Sequence, residues 1–133
     1  MQMLHGIIVE DDKLIRLMLK KVLESKGFEI QEACNGLEGF ELFEKTEKKI
    51  DFILTDFMMP YLNGIEMAER IRATEKGKSI TLIGMTAAEE GMFDKEQVYF
   101  NKLLRKPFKI SDIHQLIIDV MKGDQTSNQA NSI

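Results

Sequence analysis

Five times in succession, a short strand-like stretch is followed by a segment that reads as a helix, most weakly after the fourth. This alternation restricts what the chain can fold into more than any other feature. The first run is Gly6-Ile7-Ile8-Val9. Behind it, Leu14/Ile15, Met18/Leu19 and Val22/Leu23 recur with the helical period and predict a helix over 13–26, stopped by Gly27 as its C′ residue. A second strand over 28–33 follows. Asn35 and Glu38 then form the N-cap signature of a second helix, with Leu37, Phe40 and Phe43 along one face. A third strand over 52–55 ends at Asp56. The loop 57–63 contains Pro60 and leads to a second cap pair, Asn63 and Glu66. The inner residues of that third helix are Ile65, Ala68 and Ile71. A fourth strand is expected over 80–85. The stretch 86–100 is weaker as a helix, since Gly91 and Asp94 are poor helix formers. Leu103 and Leu104 belong to a short fifth strand that Lys106-Pro107 ends. The last helix, over 111–122, turns Ile113, Leu116, Ile117 and Val120 inward.

Short strands alternating with amphipathic helices imply a parallel sheet covered on both faces. Right-handed crossovers then leave a doubly wound α/β fold. The 133 residues suffice for one domain with a sizeable core and are too few for two. The folded unit is expected over 1–122. The polar tail over 123–133, rich in Gln, Asn, Ser and Thr, is expected to be disordered, because it buries too little to offset its ordering entropy. No apolar run approaches the roughly 20 residues of a membrane span. The first residues lack the basic and apolar regions of a signal peptide. Cys34, the single cysteine, cannot form an internal disulfide and reads as a partly buried packing residue. Together these features predict a cytoplasmic protein without membrane contact. The net charge of −4 and the absence of a basic stripe argue against direct nucleic-acid binding. Lys20-Lys21 and Lys48-Lys49 read as solvated helix faces.

Ligands in such folds bind outside the carboxyl ends of the strands, so the residues just past each strand matter most. Glu10, Asp11 and Asp12 follow the first strand. Asp56 ends the third, Thr86 follows the fourth and Lys106 the fifth. Each has a plain structural reading: a helix cap for Asp11 or Asp12, a turn residue for Asp56, a loop residue for Thr86, an exposed side chain for Lys106. In combination they are chemically specific. Carboxylates 4 Å apart repel by about 1 kcal/mol per pair in water and about 4 kcal/mol at an effective dielectric of 20. A divalent cation relieves this, and an all-oxygen set without His or Cys favours Mg²⁺ or Mn²⁺ over Zn²⁺. An Asp beside such a cation can accept a phosphoryl group as an acyl phosphate. Lys106 would pair with the carboxylate and then the phosphoryl group, and Thr86 would donate to a phosphoryl oxygen.

The sequence resembles bacterial response-regulator receiver domains, of which chemotaxis-type single-domain regulators are the simplest. The resemblance rests on Ile7-Ile-Val-Glu-Asp-Asp12, Leu54-Thr-Asp-Phe-Met-Met-Pro60 with Asn63-Gly-Ile-Glu66, Met85-Thr-Ala87 and Arg105-Lys-Pro-Phe108, and covers about residues 6 to 122. It implies a flavodoxin-like five-stranded sheet in the order 2-1-3-4-5. It implies Asp56 as phosphoacceptor, and Thr86 and Lys106 as its switch hydroxyl and lysine. Asp11 would be a direct Mg²⁺ ligand, with Glu10 acting through water and the Met58 backbone carbonyl as a further ligand. Lys106-Pro107 would be a cis peptide. The donor would be the phosphohistidine of a sensor histidine kinase or phosphotransfer domain. The output partner is not implied, and the expected output face is helix 4, strand 5 and helix 5, with Tyr99, Phe100 and His114 as candidates. The domain would phosphorylate and dephosphorylate only itself, so it is not an enzyme in the usual sense.

Two departures from the family pattern stand out. Leu103 occupies the place of the usual fifth-strand aromatic that swings inward on activation. The segment 89–102 is short, which predicts a short or mobile fourth helix. Met58 and Ala88 flank the site at the positions that tune hydrolysis and offer no group to position water, so no rapid decay is expected. Other enzyme classes lack their motifs: there is no P-loop, no dinucleotide fingerprint and no Gly-x-Ser-x-Gly elbow. An aspartyl-phosphate phosphatase would carry an Asp where Met58 stands. The remaining alternative is a degenerate receiver acting as a constitutive interaction module.

Overall fold

The computed structural model describes residues 3–59, 61–87 and 96–123. Five strands form one parallel sheet: β1 (His5–Val9), β2 (Glu29–Ala33), β3 (Phe52–Asp56), β4 (Thr81–Thr86) and β5 (Lys102–Arg105). Their order is β2-β1-β3-β4-β5. Four α-helices are described: α1 (Lys13–Ser25), α2 (Gly36–Lys45), α3 (Gly64–Arg72) and α4 (Ile113–Met121). The doubly wound fold and strand order expected from the sequence are therefore present.

Alternate side chains of the sheet feed two cores, as the period of a strand requires. Ile8, Leu54, Ile83, Met85 and Leu104 meet α1 and α4 on one face. Ile7, Val9, Ile53 and Leu82 meet α2 and α3 on the other. β3 is buried along its whole length, which explains its uninterrupted apolar run.

The caps form as their residue types dictate. Asp12 Oδ1 accepts from the N–H of Ile15, and Asn35 Oδ1 accepts from Glu38 N–H at 2.9 Å. Asn63 and Glu66 complete a reciprocal capping box. Glu38 does not close such a box, because its carboxylate turns instead to the N–H of Cys34. Gly27 takes φ +92°, the left-handed backbone of a C′ glycine.

Two helix faces differ from the sequence expectation. In α2 the buried residues are Gly36, Gly39 and Phe43, while Leu37 is exposed. Gly39 lies against Val9 and Met67, where any side chain would collide, so the bare backbone faces inward there. In α3, Met67 is buried with Ala68 and Ile71, and Ile65 is only half-buried. On α4 all four expected residues, Ile113, Leu116, Ile117 and Val120, are buried. The Lys106-Pro107 bond is cis.

Between β4 and β5 the described residues hold a single 3-10 turn, Glu96–Tyr99. The rest of the expected short fourth helix, Ala88 included, lies outside the described residues, as does the tail from Asp124. Arg72, at the end of α3, ties this region down. Its guanidinium donates to the carbonyls of Gly77, Ile80 and Tyr99 and to Asn101 Oδ1. One turn earlier, Glu69 accepts from the Tyr99 hydroxyl at 2.8 Å.

Candidate functional site

The strand order puts the carboxyl ends of β1, β3, β4 and β5 side by side, and the register fixes how their terminal residues meet. Val9 lies opposite Thr55 across the β1–β3 ladder, so Glu10 and Asp56 follow at adjacent positions. Asp56 is opposite Met85, and Thr86 opposite Arg105. The Lys106 N–H donates to the Thr86 carbonyl at 2.8 Å, which holds the residue after β5 beside the end of β4.

One carboxylate oxygen each of Glu10, Asp11 and Asp56 falls within a span of 4.8 Å. Lys106 Nζ stands 3.3 Å from Asp56 Oδ2 and 3.7 Å from Glu10 Oε1. Glu10 and Asp56 are 1% and 8% exposed, whereas Asp11 faces solvent. Two of the three carboxylates thus share one ammonium.

The surplus charge falls on Glu10. Burial pushes its carboxyl up to about 7, the Asp56 charge adds to the rise, and the Asp12 N–H and Lys106 oppose it. Its Oε2 accepts from the Asp12 N–H, and its Oε1 is buried with no hydrogen-bond partner. A buried anionic oxygen without a donor, beside two further carboxylates, fits a hard divalent cation. The donor set fits one as well: it is all oxygen, reachable from one side through exposed Asp11, and without His or Cys.

The structure brings Glu10, Asp11, Asp56 and Lys106 together. Thr86 is buried at the end of β4. Met58 lies two residues past Asp56 with its side chain exposed. Asp12 serves as the α1 cap and does not join the cluster. Of the output-face candidates, His114 packs against the ring of Phe28 at 5.3 Å, beside the core of α1 and α4. Phe100 turns inward against Phe57, with ring centroids 5.0 Å apart. Leu103 sits opposite Gly84 in the β4–β5 ladder. Sequence reasoning did not find Arg16, whose Nη1 donates to the Glu10 carbonyl at 2.8 Å. Flanked by Ile15 and Leu17, its place in the helix gave no sign of that contact.

A fold of this order, with its acids, hydroxyl and lysine at one sheet edge, defines a phosphotransfer signalling module. The model of the response regulator receiver domain matches residues 7–118, and the chain belongs to that family. Among curated relatives, the chain is 31% identical over 112 residues to the chemotaxis protein CheY-3 of Vibrio cholerae, covering 82% of this chain and 85% of that protein. It is 32% identical over 127 residues to the probable transcriptional regulator ycf29 of Porphyra purpurea, covering 92% of this chain and 59% of the relative. With ycf27 of Cyanidium caldarium the covered share of the relative is 49%, so the chain spans about half the length of these two regulators. Among solved structures, the response regulator TrrA of Thermotoga maritima in complex with Mg(2+)-BeF superposes with a TM-score of 0.77 at 28% identity, covering 89% of this chain and 99% of that one. Chemotaxis regulator CheY4 of Vibrio cholerae shares the fold with a TM-score of 0.82, at 24% identity over 90% of this chain and 99% of that one. Receiver domains are signalling domains and not enzymes in the ordinary sense. No helix among the described residues is long and apolar enough to cross a membrane.

Proposed function

We propose that the chain is a phosphorylation-switched receiver that takes a phosphoryl group onto Asp56 from a phosphohistidine. The observation that carries this reading is the group of Glu10, Asp11 and Asp56 within 4.8 Å, with Lys106 paired to Asp56 and Glu10. The Asp56 carboxylate attacks phosphorus, the O–P bond forms, the N–P bond to the donor imidazole breaks, and the imidazole leaves with a proton from solvent. Lys106 holds the carboxylate in the cleft and afterwards pairs with a phosphoryl oxygen. The Thr86 hydroxyl donates to another oxygen of that group.

Glu10, Asp11, Asp56 and the Met58 carbonyl are proposed to hold Mg²⁺, or Mn²⁺ in its place. When bound, the ion neutralises the acid cluster and screens the charge of the transferring group. The TrrA complex carries Mg(2+)-BeF, which supports this assignment for a relative of the same fold.

Water attack on the acyl phosphate returns the carboxylate, so the domain acts only on itself. The exposed Met58 side chain offers that water no hydrogen bond, which supports slow decay. The donor is a sensor histidine kinase or a phosphotransfer domain, and the site of action is the cytoplasm. The receiver unit is proposed to occupy residues 1–122, in keeping with a last helix that ends at Met121. The output partner is read through the face made by the Glu96–Tyr99 turn, β5 and α4.

The test is treatment with acetyl phosphate and Mg²⁺ followed by intact-mass measurement. The wild type gains one phosphoryl group and Asp56→Asn gains none. A wild type that stays unmodified by acetyl phosphate and by a phosphorylated histidine donor would leave only a constitutive binding module.

A further inference from the structure

The peptide group between Glu10 and Asp11 joins two of the three clustered acids, and its orientation decides where both side chains point. Its carbonyl oxygen, on Glu10, accepts from Arg16 Nη1 at 2.8 Å. The Glu10 N–H donates to the Ala33 carbonyl at 3.0 Å. Glu10 is therefore fixed on its amide side by β2 and on its carbonyl side by α1.

Arg16 is itself fixed. Its Nε donates to Glu32 Oε1 at 2.9 Å, and Lys20 Nζ donates to Glu32 Oε2 at 2.9 Å. Glu32 stands on β2 opposite Ile8, one residue before the Ala33 that holds the Glu10 amide. The planar fork of a guanidinium suits this arrangement, because two of its nitrogens reach two different acceptors without rotating. A lysine has one head and cannot hold both. Arg16 is only 14% exposed, and Glu32 and Lys20 are 29% exposed, so the three side chains form a half-buried brace.

The guanidinium touches the carbonyl and none of the three carboxylates. It thus orients the acidic turn without itself neutralising the carboxylates that the cation is proposed to bind.

We propose that Arg16, braced by Glu32, is a positioning residue for the divalent-cation site: it locks the Glu10–Asp11 peptide so that both carboxylates meet Asp56. This rests on the reading of Glu10, Asp11 and Asp56 as a Mg²⁺ site. Outer partners of this kind typically contribute about 10–100-fold to metal affinity.

The test is calorimetric titration of Mg²⁺ into unphosphorylated wild type, Arg16→Met and Arg16→Lys, with melting temperatures taken in EDTA. Arg16→Met keeps most of the stem. Its Mg²⁺ dissociation constant is expected to rise about tenfold, and Arg16→Lys should recover little of the loss. The half-saturating Mg²⁺ for phosphorylation by acetyl phosphate should rise by the same factor, while the rate at saturating Mg²⁺ stays close to wild type. A role in overall stability alone would move the EDTA melting temperature and leave the Mg²⁺ constants in place, which would overturn the inference. If Arg16→Met does not fold, Glu32→Gln serves in its place: a weaker Mg²⁺ constant supports the brace and an unchanged one overturns it. A wild type that binds no Mg²⁺ overturns the reading of the site itself. Binding by wild type with an equal constant in Arg16→Met overturns the role of Arg16 alone.

Discussion

The ring of Phe57 lies across Gly84 so closely that a Cβ on residue 84 would stand 2.3 Å from Phe57 Cε1. Leu103 Cδ2 and Phe100 Cδ1 would be the next atoms met, at 3.1 and 3.2 Å. Phe57 is the residue after Asp56 and is fully buried. Phe100 is the residue before Asn101, whose side chain Arg72 holds. The space beside the end of β3 is thus filled by an aromatic pair over a glycine, with Leu103 at its edge.

Gly84→Ala should therefore overpack this space and destabilise the fold by about 1–3 kcal/mol. Chemical denaturation measures it as a lower midpoint with an unchanged slope. Phe57→Leu in the same chain should restore much of the loss, since the colliding atom belongs to the ring. Equal midpoints for wild type and Gly84→Ala would show that the ring moves freely.

Gly64 makes a comparable approach to the site itself. A Cβ there would lie 2.1 Å from the Asp56 carbonyl oxygen and 3.2 Å from Phe57 Cα. Backbone cannot rotate away as a side chain does. Gly64→Ala should displace Asp56 and slow phosphorylation by acetyl phosphate at least about tenfold, since misplacing a reacting group by 1 Å costs up to about 10²-fold. Far-ultraviolet circular dichroism should remain that of the folded protein. An unchanged rate would mean that α3 shifts instead of β3.

Lys106 offsets charge in two carboxylates at once, 3.3 Å from Asp56 and 3.7 Å from Glu10. Lys106→Met should have opposite effects on two measurements. Mg²⁺ should bind several-fold more tightly, because the site loses a competing cation. Phosphorylation at saturating Mg²⁺ should be slower, because the phosphoryl group loses its ammonium. Weaker Mg²⁺ binding in the variant would contradict this electrostatic account.

The site acids and lysine were legible in the sequence because strands end there. Glu10, Asp11, Asp56, Thr86 and Lys106 each follow or close an apolar run, and a doubly wound sheet collects such positions at one edge. The caps at Asn35 and Asn63 were legible because their signals span only three residues. The Arg16–Glu32 brace and the Arg72 clamp were not. Arg16 and Glu32 are sixteen residues apart on different elements, and Arg72 reaches Asn101 across twenty-nine. Neither contact leaves a local pattern. Apolar periodicity registers side chains only, which is why it points to Leu37 as an inner residue of α2. Gly36 and Gly39 contribute backbone to the core and are invisible to it.

Glu10 makes the stability of the metal-free protein depend on pH. Its carboxyl titrates near 7 in the folded chain, against an ordinary value of 4.5 when unfolded. Between these values the folded state holds a proton that the unfolded state has released. The contribution of this group is therefore full below pH 4.5 and is lost as the pH rises through 7. In EDTA, unfolding free energy should fall across that window more steeply for wild type than for Glu10→Gln, whose side chain does not titrate. Ionisations remote from Glu10 cancel in the difference. Parallel profiles for the two proteins would place the carboxyl at its ordinary value.

The pairing of Val9 with Thr55 has a further consequence. Sliding β1 past β3 by one residue would exchange the side chains it feeds to the two cores. It would also carry Glu10 and Asp11 away from Asp56 by about 3.3 Å. Any ligand gripped by the three acids together recognises only the correctly threaded chain. Its binding energy is added to that one alignment and withheld from its near misses. A ligand held by all three acids would thus act as a proofreader of strand alignment.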